Sequence, residues 1–163
     1  MELTDITKAF ASGDFARTNL FDVEITYLGS TFAFKCKAAP LPAGNVEKVP
    51  VGYMNRKINV AGDRTFQDWT VTIYNDDAHT TRQDVIDWQD LAHSQGSTIS
   101  GSTPATYKKV ATITQYARDG ITATKTYTIT GLWPTEVGQI QLDWDENNSI
   151  ETFEVTFAMD WWE

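Results

Sequence analysis

Residues 54–77 read MNRKINVAGDRTFQDWTVTIYNDD. The stretch joins an extended polar segment, a tight turn expected at Ala61-Gly62-Asp63-Arg64, and a strand. After the turn, Trp69, Val71 and Ile73 fall on one face, with Asp68, Thr70, Thr72 and Tyr74 on the other. A period of two with one apolar side is the pattern of a half-buried strand. Asp76-Asp77 then offers a cap for a helix over about 77–93, where Ala78, Thr81, Val85, Trp88 and Ala92 share a stripe widened by Leu91. Trp88 reads as an anchor packed against a sheet.

Working outward, strands dominate. Phe21, Val23, Ile25 and Tyr27 alternate, Leu28-Gly29-Ser30 turns, and Phe32, Phe34 and Cys36 are expected inward on a returning strand. Leu41-Pro42-Ala43-Gly44 is a breaker cluster. Residues 46–60 form an extended arm with Pro50, Gly52 and little clean alternation. Two readings fit it: an arm packed on something outside the chain, or an ordinary surface hairpin. Residues 94–106, rich in Gly, Ser and Thr, read as a loop.

Residues 107–118 and 121–130 form the clearest hairpin, joined by Asp119-Gly120, whose residues tolerate positive φ. Thr122, Thr124, Thr126, Thr128 and Thr130 give the second strand a wet face. Gly131-Leu132-Trp133-Pro134 is expected to break the sheet. Ile140, Leu142 and Trp144 alternate in a further expected strand, and Phe153, Val155, Phe157, Met159 and Trp161 in the last. The fold class is therefore mainly β: an antiparallel β-sandwich or barrel with one flanking helix and a long extended arm at 46–65, in a single domain over 1–163.

Composition narrows the function. The 163 residues carry 41% hydrophobic and 21% charged side chains, ordinary for a folded domain. One cysteine, Cys36, excludes an internal disulfide framework and reads as a core residue. No apolar run reaches the ~20 residues of a membrane helix, and Met1-Glu2-Leu3-Thr4-Asp5 lacks a signal-peptide pattern. A reducing cytosol and no membrane insertion are expected. The net charge of −9 disfavours a clamped nucleic acid, which draws on Lys and Arg against phosphates. It does not disfavour a surface that DNA slides past.

Chemistry-bearing patterns are few. Asp143, Asp145, Asn147 and Glu154 match calcium-loop positions, with Ile150 at the apolar one. Asn148 stands where that turn needs Gly, and the flanks alternate like strands, so a hairpin turn is the better reading. His79 and His93 lie at opposite ends of the helix without Cys or His at metal spacing. No nucleophile elbow, phosphate loop or marked carboxylate pair stands out. No enzyme, cofactor or metal is read here. Basic residues gather at Lys48, Arg56, Lys57 and Arg64, and again at Lys108, Lys109, Arg118 and Lys125. They are either contacts to acidic surfaces of neighbouring copies or solvated charge guarding strand edges.

The segment Ala61-Gly62-Asp63-Arg64-Thr65-Phe66 with Asp68-Trp69-Thr70-Val71-Thr72 resembles the signature of tail tube proteins of contractile-tailed bacteriophages. Gly13-Asp14-Phe15-Ala16-Arg17, Leu41-Pro42-Ala43-Gly44 and Gly131-Leu132-Trp133-Pro134 fit the same family in order and spacing. The resemblance implies six-membered rings stacked into a hollow tube, with sheets of six copies joined into one lumen barrel. It implies a virion tail location, host cytoplasm before assembly, and as partners a sheath, a baseplate or initiator, a tape-measure protein and DNA in transit. On it, Lys48, Tyr53, Met54, Arg56, Lys57, Asn59, Asp63 and Arg64 are candidates for the subunit and ring interface. Asp22, Glu24, Glu154 and Asp160 are candidates for an acidic lumen wall. A contractile secretion or bacteriocin tube shares this architecture. From another class, a β-barrel carrier of small molecules would need an apolar internal pocket.

Overall fold

The computed structural model describes Ala11, Gly13 and residues 15–163. Met1-Glu2-Leu3-Thr4-Asp5, and Asp14 of the Gly13–Arg17 motif, lie outside the described residues. The elements in chain order are β1 (Phe21–Ile25), a 3-10 turn (Ser30–Phe34), β2 (Cys36–Ala38), β3 (Gly44–Tyr53), β4 (Arg56–Phe66) and β5 (Trp69–Tyr74). There follow α1 (Thr80–Ala92), α2 (Pro104–Tyr107), β6 (Lys109–Tyr116), β7 (Ala123–Val137), β8 (Thr152–Ala158) and β9 (Trp161–Trp162). Seven strands form one antiparallel sheet in the order β1-β6-β7-β8-β5-β2, with β9 beside β7. Among the described residues, β3 and β4 pair only with each other.

The period-two reading of β5 holds: Trp69, Val71 and Ile73 are buried. They meet Phe157, Val155 and Phe153 of β8 directly across the ladder. Val23 and Ile25 of β1 face Ile113 and Ala111 of β6, and Ile129 of β7 completes that layer. Trp88 closes the core from α1, stacked on Tyr27 at 4.9 Å and tilted against Phe157 at 5.7 Å. Its indole N–H donates to Tyr107 O at 2.6 Å, so the buried polar atom is satisfied.

The helix begins three residues later than its first acidic residues suggest. His79 sits in the left-handed region (φ 55), and Asp76 reaches across it. The Asp76 carboxylate accepts from the N–H of Thr80 at 3.3 Å and of Thr81 at 3.1 Å, and from the Thr80 hydroxyl. These donors hold its pKa far below the usual carboxylate range, Thr80 foremost and Lys35 as a lesser cause. Asp119 acts alike in the β6–β7 turn, accepting from the Thr122 hydroxyl and from the N–H groups of Ile121 and Thr122 at 2.9 Å each. Its pKa is lowered to about 2 by the same bonds.

Three expectations are corrected. Residues 31–37 do not return as a strand beside β1. Leu28 and Gly29 N–H both bond Ile25 O, and a 3-10 turn follows. Its period of about three turns Phe32 inward and leaves Phe34 exposed, although both lie on one parity. β2 pairs instead with β5.

Gly131-Leu132-Trp133-Pro134 does not end a strand. β7 runs through it, changing partner from β6 to β8. Gly131 (φ 73) makes the corner, Leu132 is fully buried, and Trp133 meets Tyr107 edge-on at 5.6 Å. Pro134 lacks an N–H but sits beside a register shift, where the ladder loses no bond.

Residues 140–144 form no strand. β8 already has β7 on one side and β5 on the other, so it offers them no free edge. Leu142 and Trp144 are exposed as a result.

Candidate functional site

The β3–β4 hairpin is exposed along nearly its whole length among the described residues. Its turn is Met54-Asn55, both at positive φ (43 and 61), the two-residue geometry that matches strand twist. The turn expected at Ala61-Gly62-Asp63-Arg64 is therefore corrected: those residues lie inside β4. A bulge there sets Gly62 and Asp63 against Glu47, between the pairs Val46↔Arg64 and Lys48↔Ala61. Gly fits closely here, because a Cβ at 62 would stand 3.0 Å from Val49 Cγ2 and 3.1 Å from Glu47 O, and those neighbours would have to give by a few tenths of an ångström. The bulge shifts the alternation by one, so the turn-like Ala-Gly-Asp-Arg string marks a bulge.

The register sorts the side chains into two faces. Val49↔Val60, Val51↔Ile58 and Tyr53↔Arg56 share one face, which is apolar up to the Arg56 tip. Lys48↔Ala61, Pro50↔Asn59 and Gly52↔Lys57 share the other, with Val46↔Arg64 beyond the bulge. Val49, Val51, Ile58 and Val60 are 48–62% exposed. An isolated two-stranded hairpin is marginal in water, and an exposed β-branched stripe makes it more so. Its base is fastened: Trp162 donates to Ala43 O at 3.2 Å and meets Phe66 edge-on at 6.4 Å.

Of the candidate interface residues, Tyr53 and Arg56 lie on the apolar face and Met54 in the turn. Lys48, Lys57, Asn59 and Arg64 lie on the opposite face, and Asp63 in the bulge. Sequence reasoning missed Val49, Val51, Ile58 and Val60. The signal was present as Val-x-Val-x-Tyr and Ile-x-Val, but Val46 alternates onto the opposite face, and Pro50 reads as a breaker.

The acidic candidates occupy three places. Asp22 and Glu24 lie on the outer face of β1, opposite Thr114 and Thr112, with Thr126 and Thr128 next across β6. Glu154 lies on the outer face of β8 opposite Thr72. The corner at Gly131 separates these two outer faces. Asp160 lies between β8 and β9, where Lys108 Nζ donates to its oxygens at 2.7 and 2.8 Å, so its charge is compensated within the chain. β1 is also a sheet edge. Thr26 N–H bonds Val110 O and Tyr116 N–H bonds Leu20 O. By the antiparallel alternation, the polar backbone groups of Phe21 and Val23 therefore point away from β6, off the free edge.

Among the described residues no three His, Cys, Asp or Glu side chains cluster as metal ligands. His79 Nδ1 is bonded by Asn75 at 2.6 Å, and His93 Nδ1 lies 3.1 Å from Ser94 O. Burial pushes the Cys36 thiol up to about 11, which keeps it protonated and unreactive. The space between the sheet halves is filled by Phe32, Trp69, Trp88, Phe153 and Phe157. Side chains thus occupy the place where a carrier would need an apolar pocket. Among the described residues no helix is long and apolar enough to cross a membrane.

Residues 8–163 match the family model described as phage tail tube protein. The chain is 65% identical over 163 residues to tail tube protein gp19 of Enterobacteria phage T4, covering 100% of both. It is 64% identical over the same length to tail tube protein gp19 of Enterobacteria phage T6. Among solved structures, the fold is similar to a chain from the sheath/tube terminator of an extracellular contractile injection system. There the TM-score is 0.72 at 16% identity, covering 94% of this chain and 98% of that one. A chain from the sheath-tube complex of the same kind of system matches at TM-score 0.62 and 15% identity, covering 100% and 97%.

Proposed function

Because the chain belongs to the phage tail tube protein family, it is a structural subunit of a contractile phage's tail tube, and we propose that it works as six-membered rings stacked into a conduit for DNA. The observation that carries this reading is the uncovered β3–β4 hairpin. A single-domain subunit over 1–163 with a stripe of Val49, Val51, Ile58 and Val60 facing water needs a second surface to cover it. The free edge of β1 supplies a second joint, because unpaired strand edges in a monomer become ladders in a ring. Repetition along the axis does not close, so rings stack into a tube.

The candidates Lys48, Tyr53, Met54, Arg56, Lys57, Asn59, Asp63 and Arg64 act at these joints. The wall facing DNA is acidic. Six copies at −9 carry −54 per ring, and fixed negative charge repels phosphate within a Debye length of about 8 Å. Asp22 and Glu24 line it on one sheet half or Glu154 on the other, while Asp160 contributes little because Lys108 neutralises it. The outer surface meets a sheath; one chain of similar fold comes from a sheath-tube complex. A baseplate or initiator starts the tube, a tape-measure protein occupies the lumen, and subunits reside in host cytoplasm before joining the virion tail. The subunit performs no catalysis. The identity to phage tail tube proteins favours the phage tail over a secretion or bacteriocin tube.

The test of the lumen is separate for each face. Asp22→Lys with Glu24→Lys, and independently Glu154→Lys, are assembled and assayed for retained DNA. Tubes of one variant that hold DNA identify the wall. If neither retains more DNA than the parent, the acidic-lumen reading is wrong.

A further inference from the structure

A second uncovered surface lies far from the hairpin in sequence. Residues 138–151, between β7 and β8, carry Leu142 at 79%, Trp144 at 100% and Ile150 at 71% exposure. A fully exposed tryptophan in a structural protein is costly to leave in water, since burying such a ring removes on the order of 150–250 Å² of surface. The same loop holds Asp143, Asp145, Glu146 and Glu151 and no Lys or Arg.

The hairpin is its chemical complement. It carries four of the chain's 13 basic residues, Lys48, Arg56, Lys57 and Arg64, against two acids, Glu47 and Asp63; of the four, Arg56 lies on the apolar face and the other three on the opposite one. In a chain of net charge −9 this is a local reversal of sign. Its apolar face ends at the Tyr53↔Arg56 pair, where a guanidinium stands beside an aromatic ring on the exposed tip. That pair suits an indole flanked by carboxylates, since arginine stacks on aromatic faces and pairs with carboxylates bidentately.

We propose that the acidic 138–151 loop of one subunit docks on the apolar face of the β3–β4 hairpin of a neighbouring copy. Trp144 covers Val51, Ile58 and Tyr53, and Arg56 pairs with Asp145 or Glu146. The occupant is a second copy because both halves, apolar and oppositely charged, are present on one chain that leaves each of them exposed. This inference rests on the tube reading and goes further by pairing two specified surfaces. Opposite charge also sets direction: loop on loop and hairpin on hairpin both repel, so only a head-to-tail arrangement forms.

The experiment uses the full chain, seeded with short tube fragments. Asp145→Lys with Glu146→Lys, and Arg56→Glu alone, should each raise the concentration needed for tube growth about tenfold or more. The combination of all three should recover part of the loss, since an attractive pair is restored with its charges exchanged. In a Cys36→Ala background, Trp144→Cys with Ile58→Cys should form disulfide-linked ladders of chains under mild oxidation. Parent tubes with loop variants that assemble equally well, or a combined variant no better than its components, would overturn the pairing and leave the tube reading intact. Loop variants that form normal tubes but fail to bind sheath would overturn it in favour of a sheath contact. A parent that never assembles on seeds would remove both.

Discussion

Gly131→Ala tests the corner on which both the core and the hairpin base depend. At φ 73 an alanine costs about 1–2 kcal/mol from backbone sterics alone. A Cβ there would also overlap the Asp160 carboxylate and stand 2.8 Å from Asp160 Cβ, so Asp160 must move. Moving it loosens the Lys108 ion pair, whose side chains are 31% and 38% exposed, a loss of at most about 1 kcal/mol. It also pulls on Asp160 N–H, which bonds Thr130 O at 3.0 Å. The sum is about 2–3 kcal/mol, or a fall of roughly 4–12 °C in Tm for a chain of this size. Asp160→Gly removes the overlapping side chain, so in that background Gly131→Ala should cost only the backbone share, leaving a coupling of about 1 kcal/mol. Urea denaturation of unassembled protein, followed by circular dichroism, gives all four corners of the cycle. An equal cost in both backgrounds, or a single-variant loss under about 0.5 kcal/mol, would show that Gly131 and Asp160 are not coupled through this overlap.

Ile58→Asp should leave the isolated subunit's Tm within a few degrees of the parent. It should abolish tube growth, because the side chain is exposed in the monomer and its burial between copies is worth about 1–2 kcal/mol at each contact. Light scattering beside calorimetry separates the two effects. Asp76→Ala should cost about 1 kcal/mol at neutral pH through loss of the cap on α1. The folded-state pKa of Asp76 is depressed, so its contribution is present above the unfolded value near about 3.9 and is lost as pH falls through the folded one. The variant's stability should therefore fall less steeply below about pH 4 than the parent's, as pH-dependent urea midpoints would reveal. Cys36, with its thiol raised to about 11, should alkylate far more slowly at pH 8 in the folded subunit than in urea. Equal rates would contradict its burial.

Where one face of a strand is dry, the sequence was readable. Trp69, Val71 and Ile73, and Phe153, Val155 and Phe157, alternate because each strand packs a core on one side only. The 15 residues of β7 defeat such a reading at Gly131, since a left-handed corner inside a strand and a break between strands use the same residue. Phe32 and Phe34 mislead because period two and a 3-10 turn cannot be told apart over three positions. The apolar hairpin face was hidden because Val46 and Val49 alternate onto opposite faces and a bulge shifts the parity of β4 between Ala61 and Arg64. Trp144 looked like a strand residue because alternation carries no information on whether a free edge exists to receive it. In each case the missing information is non-local: which neighbour a segment meets, within the chain or beyond it.

A subunit built to be covered by copies of itself must assemble when copies are supplied. Negative-stain electron microscopy of the purified protein across concentrations, with and without short tube fragments as seeds, puts that requirement to the test. Hollow tubes of stacked rings, growing at least from the seeds, are the expected result. Particles that remain monomeric at every concentration, seeds included, would contradict it.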